Sequence, residues 1–233
     1  MSEASTYIFY AGDSTAAQKR YNAYPETGMG QMLPLFLKPG VQVMNHAVNG
    51  RSTKSFIDEG RLDVIDSEIR PGDLLFIEFG HNDEKINDPT RYTEAFGSFS
   101  DNLKIFIDTA RKHDATPLLM TAIERRLTEE DGSLKHSHGD YIEAVKRVAE
   151  RENCAFIDMN ALTRDLIIKT GIEESRKYFM NFGPGIYENY PEGKNDNTHL
   201  RPEGAIAFAR LMALEMKKTG SPFKELVLDE LTE

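Results

Sequence analysis

No stretch of this 233-residue sequence approaches the roughly 20 apolar residues a helix needs to cross a bilayer. A single cysteine, Cys154, excludes an internal disulfide and a cysteine-rich zinc site. It leads into an apolar run and reads as a small core thiol. Positive charge is scarce, with 28 Lys and Arg against 38 Asp and Glu, a net charge of -10. That balance argues against binding a nucleic-acid backbone or an anionic membrane, and an acidic substrate would need a locally basic pocket. Basic residues are missing from the start, residues 1–6, and the apolar run behind it is too short for a signal peptide. The sequence therefore predicts a cytoplasmic protein, unless an export signal lies outside it. Repeats, low-complexity tracts and linkers are absent, so residues 1–233 read as one domain.

What is present is an alternation of short apolar runs and amphipathic stretches. Residues 7–11, 41–45, 74–79, 116–122 and 155–158 read as strands. The run at 74–79 is almost continuously apolar, as expected of a parallel strand covered on both faces. Helices are predicted over 31–37, 55–70, 90–113, 141–151, 160–170 and 205–218. The long one at 90–113 carries Phe96, Phe99, Leu103, Phe106, Ile107 and Ala110 on one stripe. Residues 128–139 and 176–198 read as loops. Strand–helix alternation implies right-handed crossovers and a five-stranded parallel sheet in a three-layer α/β/α sandwich of flavodoxin-like type. In such a sheet, functional loops gather at the carboxyl ends of the strands. Gly12-Asp13-Ser14, Asn49-Gly50-Arg51 and Gly80-His81-Asn82-Asp83 follow the first three strands and would share that edge.

Ser14 sits after a strand and a glycine turn. Its hydroxyl is a poor nucleophile unless a base takes the proton. His199 is a candidate base, and Asp196, three residues earlier, is a candidate for fixing its tautomer. Each fragment also has an ordinary reading. Gly-Asp-Ser makes a common turn, and Asp196-x-x-His199 can be a helix-start cap beside a surface histidine. Acyl transfer further needs donors for an oxyanion, and Ser14 N–H, Gly50 N–H and the Asn82 amide are candidates. Singly, Gly50 and Asn82 are equally turn residues.

The joint pattern is more specific. Gly12-Asp13-Ser14-Thr15, Asn49-Gly50-Arg51-Ser52, Gly80-His81-Asn82-Asp83 and Asp196-Asn197-Thr198-His199 occur in this order across the chain. The set resembles the SGNH (GDSL-type) hydrolase superfamily, whose four blocks supply Ser, Gly, Asn and His. The longer strings look like the rhamnogalacturonan acetylesterase branch, which removes acetyl groups from the acidic pectin backbone. The resemblance implies Ser14 as nucleophile, His199 as general base and acid, and Asp196 as its orienting partner. Ser14, Gly50 and Asn82 would form the oxyanion hole. Asp13 and Asp83 would hold loops through hydrogen bonds. No metal or cofactor is expected.

Five further residues are candidates for substrate binding. Arg51, Arg125, Arg126 and Arg201 flank the site loops, and a uronate carboxylate suits an arginine fork. His81 lies inside the third block. All five can equally be structural. His136 and His138 lack a third ligand for a metal site. The aromatics Tyr178, Phe179, Phe182, Tyr187 and Tyr190 could stack on sugars or pin a loop. The leading expectation is a serine esterase that deacetylates carbohydrate, with an acetylated acidic oligosaccharide as its partner. A lipase or thioesterase on other acyl esters is the second reading. A non-catalytic sugar-binding module on the same fold is the third.

Overall fold

Period-two alternation along the strands feeds two cores at once, and that sets the architecture. In the computed structural model, which describes residues 6–232, the strands β1 (Thr6–Gly12), β2 (Val41–Asn45), β3 (Leu74–Phe79), β4 (Thr116–Thr121) and β5 (Ala155–Ile157) form a parallel sheet in the order β2-β1-β3-β4-β5. Ile8, Tyr10, Leu74, Phe76, Leu118 and Met120 point to one face. There they pack with α1 (Met29–Met32), α6 (Met159–Thr170) and α7 (Pro202–Thr219). Phe9, Ala11, Leu75, Ile77, Phe79 and Leu119 point to the other. They meet α2 (Thr53–Asp58), α3 (Arg61–Glu68), α4 (Ser100–Lys112) and α5 (Asp140–Arg151). All six residues of β3 are buried, because helices cover it on both faces. The result is the three-layer sandwich the alternation predicts.

The strand order places the site. The chain leaves β1 toward β2, then returns to put β3 on the opposite side of β1. Loops leaving β1 and β3 therefore diverge and open a crevice at their carboxyl ends, where ligands bind in open α/β sheets. Ser14 follows β1 and Asn82 follows β3.

Several predicted elements differ. The helix expected over 55–70 is two helices, α2 and α3, broken at Gly60, whose φ of +68° lies in the left-handed region. The helix expected from 90 begins at Ser100, after a wide turn over Ala95–Phe99 that kinks at Gly97. Phe96 consequently leaves the buried stripe. It is 45% exposed, with the Arg147 guanidinium 4.8 Å over its ring. The helix expected over 31–37 is α1 plus a 3₁₀ turn at Leu33–Phe36. The stretch 176–198, expected to be a loop, contains β6 (Phe179–Phe182) and joins β7 (Lys194–Leu200), which pairs antiparallel with it. Residues 1–5, most of the start that lacks an export-signal pattern, lie outside the described residues. Among the described residues no helix is long and apolar enough to cross a membrane.

Candidate active site

The β6–β7 ribbon carries the acid–histidine pair through an irregularity. Pairing passes from Phe179↔Leu200 directly to Met180↔Asp196, so residues 197–199 bulge out of the ladder. Asp196 closes the bulge, its Oδ1 accepting from the backbone N–H of Thr198 (2.9 Å) and of His199 (3.0 Å). The other oxygen, Oδ2, lies 2.8 Å from His199 Nδ1. A carboxylate there requires a proton on Nδ1, which leaves Nε2 as an acceptor. Nε2 lies 3.0 Å from Ser14 Oγ, across 185 residues of sequence. Burial raises the Asp196 carboxyl, but the hydrogen bond and charge of His199, with the two N–H donors, outweigh it. They hold the group below the usual carboxylate range. The arrangement is a hydroxyl beside a base whose tautomer is fixed by an ionised acid, the chemistry of nucleophilic acyl transfer.

Ser14 is held from two sides. Asp13 Oδ1 accepts from Thr15 N (2.9 Å) and Thr15 Oγ1 (3.0 Å), which folds the turn. Lys19 Nζ donates to the Ser14 carbonyl (2.6 Å) and to Asn49 Oδ1 (2.6 Å), and pairs with Glu26 (2.7 Å). It thereby ties the Ser14 loop to the Gly50 loop. The Asn82 amide ties in the third loop by donating from Nδ2 to the Arg51 carbonyl (3.1 Å). Gly50 turns with φ +78°, a conformation that side chains disfavour. No described group accepts from the backbone N–H of Ser14 or Gly50. Asp83 is buried and accepts from Thr53 N (3.0 Å), Thr53 Oγ1 (2.5 Å) and Thr93 Oγ1 (2.9 Å), with burial pushing its carboxyl up to about 7.

The five further candidates separate. Arg51 pairs with Glu59 (2.9 Å) and lines a groove of about 620 Å³ beside Gly50, with Lys54, Glu59, Asp88 and Arg91. Arg126 donates to the Ile172 carbonyl (2.7 Å) and to Asn197 Oδ1 (2.9 Å), where it props the bulge that carries His199. Arg201 spends its guanidinium on the Lys177 carbonyl (2.9 and 3.1 Å). Arg125 pairs with Glu84 and donates to the carbonyls of Ser137 and His81. These three arginines brace loops. The His81 ring is buried edge-on to His138, 4.6 Å between centroids, and neither of its nitrogens has a partner among the described residues. Burial, then the charges of His138 and Arg125, hold it well below the usual histidine range. His138 bonds to Glu84 and the Ile123 carbonyl, and no described cluster of His, Cys, Asp and Glu could hold a metal ion. Among the loop aromatics, Phe179 is core, while Phe182 packs edge-on against Tyr187 (4.7 Å) and Tyr190 (5.9 Å) and pins the turn.

Four residues at the site were not singled out from sequence. Lys19 stands in a polar, irregular stretch that looks like surface, yet only 4% of its side chain is exposed. Lys85 and Arg91 both reach Asn82 Oδ1. Their only sequence signal is proximity to the third block. Glu78 interrupts an apolar strand, which was a visible anomaly. It lies under the Ser14 loop and accepts from Tyr10 Oη (3.1 Å) and Thr15 Oγ1 (3.4 Å). Burial and then the nearby Asp13 charge raise its carboxyl well above the usual range. A carboxyl raised on folding stabilises the fold fully below its unfolded value of about 4.3, and that contribution is lost as pH rises through the folded value. Glu78→Gln should therefore gain stability at pH 8 relative to pH 5 when each is compared with wild type. Urea unfolding at the two pH values checks this, and an unchanged difference between them would refute it.

Known proteins resemble this chain along most of its length. Residues 10–205 match the GDSL-like Lipase/Acylhydrolase family. The chain is 40% identical to the rhamnogalacturonan acetylesterase RhgT of Bacillus subtilis, over 94% of this chain and 92% of that protein. It is 37% identical to the probable rhamnogalacturonan acetylesterase YesY of the same organism, over 97% and 99%. Among solved structures, protein YxiM of Bacillus subtilis superposes with a TM-score of 0.79 at 25% identity, over 94% of this chain and 58% of that one. The acetylxylan esterase Axe2 of Geobacillus stearothermophilus superposes with a TM-score of 0.65 at 17% identity, over 99% and 100%, a likeness of fold. With three blocks at the carboxyl ends of a 2-1-3-4-5 sheet, the fourth on the β6–β7 ribbon and the match running over residues 10–205, the chain belongs to the GDSL-like lipase/acylhydrolase family.

Proposed function

We propose that the protein is a serine esterase that removes acetyl groups from carbohydrate, with acetylated rhamnogalacturonan oligosaccharides as its substrate class. The observation that carries the esterase reading is the relay Ser14 Oγ–His199 Nε2 at 3.0 Å and His199 Nδ1–Asp196 at 2.8 Å. The substrate class is supported by the full-length likeness to RhgT and YesY. The groove beside Gly50 presents charged side chains of both signs, Arg51, Lys54, Asp58, Glu59, Asp88 and Arg91, which can hydrogen-bond a hydroxylated ligand. Arg51 is the predicted arginine that faces it.

In this reading Ser14 Oγ attacks the acetyl carbonyl carbon while its proton passes to His199 Nε2. The oxyanion accepts from Ser14 N–H, Gly50 N–H and Asn82 Nδ2. Collapse breaks the bond to the sugar oxygen, which takes the proton from Nε2. Water then attacks acetyl-Ser14 and passes one proton to Nε2, and collapse returns that proton to Ser14 and frees acetic acid, which ionises to acetate in solvent. Asn82→Ala should lower kcat by about 100- to 1000-fold, the usual cost of one oxyanion donor. A loss under about tenfold would remove Asn82 from that role.

The test of the substrate is acetate release from acetylated rhamnogalacturonan oligosaccharides, alongside acetylated xylan fragments and a butyryl ester. The expected result is preference for the pectic fragments. Faster turnover of the other esters would keep the mechanism and discard the substrate class. Binding without turnover of any ester would favour a sugar-binding module.

A further inference from the structure

An amide side chain can serve an oxyanion only if its nitrogen, not its oxygen, faces the developing charge. We infer that Lys85 and Arg91 are positioning residues that clamp the carbonyl oxygen of Asn82, fixing its amide in the donating orientation and strengthening its N–H groups. The inference rests on the proposal that Asn82 serves the oxyanion.

Three contacts define the orientation. Lys85 Nζ lies 2.9 Å and Arg91 Nη1 3.3 Å from Asn82 Oδ1. Both are obligate donors. Asn82 Nδ2 lies 3.1 Å from the Arg51 carbonyl, an obligate acceptor. Rotating the amide by half a turn would put its NH₂ against two cations and its oxygen against a carbonyl, so all three contacts would become repulsive. The bond to Arg51 uses one N–H of Asn82 and leaves the second for a ligand.

The clamp is also prearranged. Arg91 is held by Asp88, with Nε at 2.6 Å and Nη2 at 2.5 Å, and Asp88 is held in turn by Thr90 N (3.1 Å) and Oγ1 (2.5 Å). The loop that carries both cations closes on the site through Thr93 N to the Asp83 carbonyl (3.0 Å). Arg91 also borders the Gly50 turn, since a Cβ at Gly50 would lie 3.7 Å from its Nη1. Lys85 is an exposed residue that pairs with no carboxylate among the described residues, yet it donates to a neutral amide already bonded to another cation. Convergence of two positive charges on one oxygen costs energy. It also draws electron density from the amide nitrogen, so the N–H groups become stronger donors.

The test is a set of kcat and KM measurements on an aryl acetate with Lys85→Met, Arg91→Met, Lys85→Arg and Asn82→Ala, and with each Met variant in the Asn82→Ala background. Thermal unfolding is followed for each protein, and Lys85 is exposed enough for its replacement to leave the fold standing. Each Met variant should lower kcat about 3- to 10-fold, a fraction of a whole oxyanion donor, with KM within about twofold. Lys85→Arg should restore most of the loss. Without the Asn82 side chain, either Met substitution should cost less than about twofold more, because its target is gone. Equal losses in both backgrounds would show that the cations act elsewhere and would overturn the clamp while leaving the oxyanion role of Asn82 intact. A loss confined to KM would also overturn it, by making them substrate ligands. An Asn82→Ala variant with near-full kcat would instead mark failure of the oxyanion reading itself, and of the clamp with it.

Discussion

Ser14→Ala is expected to abolish turnover, with kcat falling by about 10⁴-fold or more, as for nucleophiles in other serine triads. The side chain is small and 8% exposed, so its loss leaves no large cavity. The turn that carries it is folded by Asp13 and Lys19 through Thr15 and the Ser14 carbonyl, none of which needs the hydroxyl. Thermal unfolding of the variant should therefore match wild type within a few degrees while ester hydrolysis disappears. Steady-state hydrolysis of an acetyl ester checks this, and a variant retaining a tenth of the wild-type kcat would contradict a covalent route through Ser14.

Asp196→Asn should cost about 10⁴-fold in kcat, although it preserves the shape of the side chain. The reason lies in which oxygen is already committed. Oδ1 accepts from two backbone N–H groups, Thr198 and His199, so an asparagine would keep its carbonyl oxygen there. Its NH₂ would then replace Oδ2, 2.8 Å from His199 Nδ1. A donor at that place makes Nδ1 an acceptor and moves the imidazole proton to Nε2. Nε2 would then donate toward Ser14 Oγ instead of taking its proton. The effect should fall on kcat, with KM little changed. A loss below about tenfold would mean that Asp196 acts only as a turn residue.

How far the site could be read from sequence differs by residue, and the reasons are physical. Strands β1 and β3 were legible because strands buried on both faces must be apolar throughout. The blocks at Ser14, Gly50, Asn82 and His199 were legible because they are short strings at the ends of such strands or near a helix-opening proline. The ribbon β6–β7 was not, because Lys194-Asn195-Asp196-Asn197-Thr198-His199 has no apolar alternation, and its shape comes from the bulge that Asp196 and Arg126 hold. The break at Gly60 and the kink at Gly97 defeat a helical period that reads straight through them. Lys19, Lys85 and Arg91 were hidden for another reason. A long cationic side chain in a polar loop looks the same whether it faces water or spans to a neighbouring loop, and only the fold decides. Arg125, Arg126 and Arg201 show the converse, since arginines beside a candidate site turn out to brace loop carbonyls.

Covalent labelling shows whether Ser14 is the nucleophile. The purified protein would be treated with a serine-reactive aryl phosphonate and its peptides mapped by mass spectrometry. One adduct is expected, on Ser14, forming as activity is lost and abolished by His199→Ala. Complete labelling of Ser14 with activity retained would contradict it, as would inactivation with the adduct on any other residue.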